Sequence, residues 1–475
     1  MPVNSGRLIE GERKMSVYRK MLWVLVAGFI IGAGCQPTSP KTATEETKVW
    51  KSIYMTNDLI ELQVVPEIGG RVLQYKLGDY GFFWVNEQLF DKEPPETRLG
   101  PNGEWLNYGG DKIWPAPQGW DNDKQWPGPP DPILDGGPYK PEVLTRDDKP
   151  VVVKLSSRSD PRTGIQLSRV IKIFDGTTHI AIDAEMRNLD VRDRRWGIWS
   201  HAQFNAGNRK GAGYNKNYWG YCTLDPNTQF TGGYNVMFGL ADNPSYKPDY
   251  EKKIMQVHYE RKLGKIGVDS PGGWVATVDG TNGYVFVQMY NYQAGKEYPD
   301  NASVEFWMNG VGEFTAWGKV NKLTDDPVQN PYVFESEMLS PYANLKPGEV
   351  YAFNYHWFAA KIGGNFPILD CSKIGAACKP LTAKVRKGRL ILDGHYGVFY
   401  KGNMQLVFVN KNYITIKTVL LDYYPVSPLA PIIFSEVPKL NGVVEVPQEA
   451  SKVAVFICNE KGRNIGFLAD AEIEL

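Results

Sequence analysis

Three short stretches hold the side chains that could do chemistry. The first, "NYGGDKIWPAPQGW" (residues 107–120), crowds Asp111, Lys112 and Trp114 between two glycines and two prolines. Gly109 and Gly110 let a backbone turn sharply, and Pro115 and Pro117 hold the chain extended. Such a loop tip would present Asp111, Lys112 and Trp114 together. A sugar needs both parts, an aromatic plate for its apolar ring face and charged or planar groups for its hydroxyls. The plainer alternative is a Trp-anchored loop with a surface ion pair, which is worth little. The second stretch, "YVFESEMLSP", sets Glu335 and Glu337 two apart on a strand, so both carboxylates point to one face. The third, "GIWSHAQF", carries His201, one of five histidines, among aromatic residues. His179, His258, His356 and His395 lack that setting and read as structural. "VDSPGGW" adds a second aromatic-plus-carboxylate loop with Asp269 and Trp274, and Gln288 and Tyr290 alternate on a strand that could face the same cleft. Arg71, after a Gly–Gly pair, is either a ligand contact or, more commonly, a strand salt-bridge partner.

The elements that must position these groups read as strands. Ile60, Leu62 and Val64 alternate with Glu61 and Gln63. In "HIAIDAEMRNL", Ile180, Ile182, Ala184 and Met186 face one way while Asp183, Glu185 and Arg187 face the other. Further alternating runs at 284–290, 303–308 and 350–359 are separated by turn clusters such as "DGTNG". No segment of helical period follows the N-terminal region. The 475 residues include 26 Tyr, 20 Phe, 14 Trp, 48 Gly and 33 Pro, a balance of strand-forming aromatics and turn-forming residues that points to an all-β chain. The polar, aromatic stretches at 91–145 and 205–250 are too long for plain connections and too aromatic for disorder, so they should fold over one face and build a site. After a composition shift at 361–380, short strands such as "GRLILDG", "MQLVFVN" and "KVAVFICNEKG" read as a separate small β-sandwich over 380–475.

Lys plus Arg and Asp plus Glu number 53 each, which gives no support for nucleic-acid binding. At the N-terminus, Arg19 and Lys20 precede an apolar run from Met21 to Ala33 and then "GAGCQ". The run is too short to span a bilayer and reads as an export signal over 1–35, followed by a tether at 36–47. The cysteine at the cut resembles that of a bacterial lipoprotein, which implies lipidation at Cys35, a membrane anchor and a cell-envelope location, periplasmic or on the outer-membrane face. In an oxidising compartment Cys371 and Cys378 could pair.

"YMTNDLIELQVVPEIGGRVLQYKLG" resembles the opening of galactose-mutarotase-like proteins: a strand, a Pro–Glu turn, "GGR" and a second strand. "NYGGDKIWPAPQ", "GIQLSRVIKI", "WGIWSHAQF", "KIGVDSPGGWVA" and "ESEMLSPYANLKPGE" resemble one branch of that superfamily, a domain of unknown function, over about 48–360. The resemblance implies a β-supersandwich over 48–362, two large antiparallel sheets face to face with a carbohydrate cleft on one of them. It also implies an aldose 1-epimerase-like reaction, in which a carboxylate takes the O1 proton while a histidine protonates the ring oxygen. His201 would be the acid and Glu337 or Glu335 the base, with Asp111, Lys112, Trp114, Arg71, Asp269 and Trp274 around the sugar. Mutarotases carry an Arg–Asn pair in a comparable early segment, which this chain lacks, and that sets it apart from a standard free-hexose enzyme.

Two other functions fit the same residues: a non-catalytic glycan-binding module, and a polysaccharide lyase or hydrolase whose carboxylates need no short motif. The sequence holds no G-x-S-x-G, H-E-x-x-H, P-loop or dinucleotide fingerprint, so no cofactor is expected. No metal is expected either, because the acidic run "DNDKQWPGPPDPILD" lacks the ligand spacing of a calcium loop.

Overall fold

A computed structural model describes residues 41–46, 49–145, 151–364 and 366–474. The export signal and Cys35 lie outside the described residues. The described chain is built of strands joined by turns and three short 3₁₀ segments. They form two large antiparallel sheets and a third sheet at the C-terminal end.

Six neighbouring strands form the middle of the first sheet, in the order Arg71–Leu77, Asp111–Ala116, Arg194–Asn205, Val333–Leu339, Val304–Met308, Gly264–Val268. The second sheet places Tyr284–Tyr290, Val350–Lys361, Ile180–Asn188 and Ile165–Ile173 side by side. The two sheets stack on one apolar core. Phe334 of the first meets Tyr218 of the second at 5.9 Å between ring centroids. Ser336 Oγ accepts a 2.7 Å hydrogen bond from Gln288 across the same layer.

Burial separates the sheets as their alternation requires. Ile180–Asn188 buries every second residue and leaves the others partly in water, the mark of a half-buried strand. Val333–Leu339 is buried at all seven positions although it carries Glu335 and Glu337. Phe334, Ser336 and Met338 face the other sheet, and Glu335 and Glu337 lie on the opposite side under a roof that includes parts of 84–107 and 118–130.

The third sheet begins at Asp370–Cys371, inside the interval 363–379 between the two expected domains, and closes around its own core of Leu390, Leu406, Phe408 and Val455. It lies on the outer side of the second sheet, where Phe358 stacks on Phe399 at 4.8 Å. Cys371 and Cys378 are buried in that contact as free thiols, without the disulfide that their spacing allowed. The stretch read as a tether contains a strand, Lys41–Glu46, paired with Lys51–Thr56 on the edge of the first sheet.

Candidate functional site

Strand register assembles the site. Across the first sheet, Lys112 lies opposite His201, His201 opposite Glu337, and Glu337 opposite Glu305. One step along the strands, Gln203 lies opposite Glu335, Glu335 opposite Trp307, and Trp307 opposite Lys265. Side chains two apart share a face, so both ranks rise on the side away from the core. Of these, His201, Gln203, Lys265, Trp307, Glu335 and Glu337 line the floor of a cavity of about 1090 Å³ walled by Trp84, Trp105, Trp114, Trp120 and Trp199, while Lys112 and Glu305 lie outside its lining.

The floor is a hydrogen-bonded cluster. His201 Nε2 lies 3.0 Å from Glu335 Oε2 and 3.9 Å from Glu337 Oε1. Gln203 donates to the other oxygen of Glu335 at 2.7 Å, and the Trp199 indole donates to Glu337 Oε2 at 2.7 Å. Lys265 Nζ pairs with Glu305 at 2.7 Å, reaches Glu337 at 3.4 Å, and sits 4.3 Å from the Trp199 ring centroid. His201 also packs on Trp114 at 4.3 Å. Several buried atoms are left without a partner: His201 Nδ1, Glu337 Oε1, Glu305 Oε1 and Lys112 Nζ.

Electrostatics divide the two carboxyl groups. Burial works to raise both. At Glu335 the contacts with His201, Lys112 and Gln203 outweigh it and hold the carboxyl below its usual pKa. At Glu337 burial prevails, the nearby Glu305 and Glu335 add to it, and the pKa rises well above the usual range despite Lys265. Burial lowers His201 to about 4, opposed only in part by Glu335. His201 is therefore neutral near pH 7, and it supports Glu335 as an N–H donor rather than as an ion-pair partner. Against the cost of burial, Glu305 and Glu337 hold Lys265 above its usual pKa. At neutral pH an ionised Glu335 thus stands beside a neutral imidazole and a Glu337 that keeps its proton. His201 and Glu335 keep 4% and 6% of their surface exposed, whereas Glu337 has none. His201 and one oxygen from each of Glu335 and Glu337 also lie within 4.8 Å of one another, close enough to hold a cation.

The remaining expected residues part company. Trp114 lines the cavity. Asp111 and Lys112 do not form a loop tip, because Asp111–Ala116 is a buried interior strand of the sheet. Alternation sends its first two residues to opposite faces. Asp111 turns into the core and pairs with Arg169 of the other sheet. Burial raises its carboxyl to about 6, against the pull of Arg169. Lys112 lies beneath the floor, 5.8 Å and 4.9 Å from the Trp105 and Trp114 ring centroids. Burial, with Arg71 adding to it, lowers Lys112 to about 7. Arg71 is a fully buried salt-bridge partner, 2.6 Å from Asp135, and is not among the residues lining this cavity. Asp269 accepts a 2.8 Å hydrogen bond from Tyr292, away from the floor. Trp274 is packed where the second and third sheets meet. Gln288 and Tyr290 face inward, bonded to Ser336 and to Ser303 respectively.

Sequence reasoning missed Lys265, Glu305, Trp307, Gln203 and Asp135. A signal existed for the first two. "GKIGV" and "VEFWM" are apolar strands each carrying one charge, and a charged group in such a run is seldom buried without a partner. Asp135 had been weighed only as part of a calcium-like acidic run. It instead accepts from Arg71, from Trp105 at 2.7 Å and from Trp114 at 3.2 Å, which fixes two walls of the cavity.

Residues 51–210 match the family model of a domain of unknown function, DUF4380. The DUF4380 segment supplies Lys112, Trp114, Trp199, His201 and Gln203, while Lys265, Glu305, Glu335 and Glu337 come from strands beyond it. No curated protein matches the chain. Among solved structures, a galactose mutarotase-like protein from Clostridium acetobutylicum is similar at 10% identity and a TM-score of 0.43, covering 68% of this chain and 99% of that one. A galactose mutarotase-like protein from Lactobacillus casei shows 12% identity and a TM-score of 0.39, with 65% and 99% covered. A TPR-domain containing protein from Parabacteroides distasonis shows 14% identity and a TM-score of 0.43 over 67% of this chain, which spans 48% of that protein's length.

Proposed function

We propose that the cavity binds a carbohydrate and that Glu335 and His201 interconvert its anomers by proton transfer. One observation carries this reading: the Glu335 carboxyl group and the His201 imidazole, 3.0 Å apart, on the floor of a cavity walled by tryptophan. Tryptophan faces suit the apolar face of a sugar ring, and a few fixed polar groups orient its hydroxyls. Glu335, kept ionised, takes the proton of the anomeric hydroxyl. The neutral Nε2–H of His201 is the donor toward the ring oxygen. As the bond from C1 to the ring oxygen breaks and C1=O forms, the proton that Glu335 takes from O1 is passed to the ring oxygen, with neutral His201 as the hydrogen-bond donor beside it; on closure the same proton returns by way of Glu335 to O1. Glu337 is a positioning residue. It lies closed off beneath, keeps its proton, and holds the Trp199 indole. A second negative charge beside Glu335 would raise the pKa of the base.

The test is anomer exchange followed by NMR over a panel of monosaccharides. Wild type should exceed the uncatalysed rate. Glu335→Gln should lose about 10²- to 10⁴-fold, the usual worth of one positioned proton-transfer group, and Glu337→Gln should lose far less. Binding with exchange at the uncatalysed rate would leave a glycan-binding module in place of an isomerase. Chain shortening or new unsaturated ends would point to a hydrolase or lyase. We further propose, from the N-terminal sequence, that the protein is exported and lipid-anchored at Cys35. Incorporation of labelled fatty acid should vanish in Cys35→Ala, and unchanged incorporation refutes the anchor.

A further inference from the structure

The cavity is larger than one sugar requires. At about 1090 Å³ it stands at the top of the ~300–1,000 Å³ range that holds a drug-sized ligand, and a single pyranose is smaller than that. Its far end is also built unlike its floor. Phe238, Trp307 and Phe314 form a continuous aromatic wall, with ring centroids 5.7–5.9 Å apart and all three half-buried. Phe314 belongs to a two-stranded hairpin, Gly312–Ala316 with Lys319–Leu323, whose tip is Trp317–Gly318. Both tip residues have positive φ, 52° and 67°. This is the turn that favours Asn–Gly, and a bulky aromatic at its first position is a poor local choice. Trp317 is nonetheless there, 43% exposed, with its ring 5.3 Å from Trp120 of the opposite loop. Strain of this kind persists where a function requires it.

We infer that the cavity takes an oligosaccharide, with its reducing-end unit on His201 and Glu335 and the following units along the Phe238–Trp307–Phe314 wall to Trp317. The inference rests on the carbohydrate reading above and names its substrate class. A polymer end accounts for a closed floor, a long aromatic flank and an exposed aromatic at the mouth, where a free hexose would use only the first.

Calorimetric titration with gluco-, xylo- and manno-oligosaccharides of one to six units tests it. Affinity for at least one series should rise about tenfold or more from the monosaccharide to the tetrasaccharide, the scale of one to two aromatic contacts. Trp317→Asn restores the Asn–Gly pair that the turn prefers, so folding should be kept or improved. Its affinity for the tetrasaccharide should fall severalfold, with monosaccharide binding unchanged within twofold. Affinity independent of length, or a length dependence undiminished in Trp317→Asn, overturns the inference and leaves the monosaccharide reading intact. Length-dependent binding with Glu335→Gln exchanging anomers at the wild-type rate upholds the oligosaccharide and removes the proposed chemistry. Failure of every series to bind at any length removes both.

Discussion

Two clusters of buried charge share the first sheet, and they are finished differently. Around Asp135 the carboxylate itself is fully used: it accepts from Arg71, Trp105 and Trp114 and shows no orphaned oxygen, with only Arg71 Nε left over on its partner. Around His201 the bonds are equally short, yet His201 Nδ1, Glu337 Oε1 and Glu305 Oε1 are left over. An unmet buried polar atom costs free energy. A cluster that saturates its charges is a fastening, and one that keeps spare valence beside a cavity is equipped to act on something else. Burial alone does not distinguish them, since both are almost wholly out of water.

The comparison breaks first at Asp135. Asp135→Ala leaves a buried guanidinium and two indole N–H groups unpaired, and should cost about 3–5 kcal/mol of stability, read as a shift of the denaturation midpoint. Lys112→Met should act in the opposite direction. Lys112 Nζ is buried without a hydrogen-bond partner and its pKa is lowered to about 7. Between pH 7 and the unfolded value of 10.5 the unfolded chain holds the extra proton, so this group makes stability fall as pH drops through that window. The variant should flatten that slope and gain about 1–3 kcal/mol at neutral pH, measured by unfolding at several pH values. Glu337→Gln should move stability by less than about 1 kcal/mol, because a carboxyl that keeps its proton is well imitated by an amide. A large loss there would mean that Glu337 is ionised and belongs with the fastenings. The smallest effect belongs to Asp269→Ala. Bonded to Tyr292 and away from the floor, it should leave sugar affinity unchanged within about twofold, a surface-scale effect; a larger drop in calorimetry would extend the site to that loop.

Much of this was legible in the residues. The period-two alternation at 180–188 and the spacing of Glu335 and Glu337 were enough to read strands and to place both carboxylates on one side. His201 stood out by its aromatic setting, and it does meet those carboxylates. The errors have one physical source. "GGDKIW" looks like a turn because glycines and prolines flank it, but its backbone is claimed by strands on both sides, Arg71–Leu77 and Arg194–Asn205. Once it is a strand, Asp111 and Lys112 cannot share a face. Asp269 and Trp274 have the same composition as the true walls and lie elsewhere, because composition carries no information on which side of which sheet a loop will fall.

The sequence by itself determined that the chain is β throughout its described part, that Glu335 and Glu337 act on one side, and that a late segment forms its own sheet. These depend on local alternation, which adjacent residues settle. Only the tertiary structure decided which side faces a cavity, and that Gln203, Lys265 and Trp307 line it with His201 while Lys112 and Glu305 pack beside them. That convergence is a matter of register between strands distant along the chain. A slip of one residue in any of them would turn the whole rank into the core.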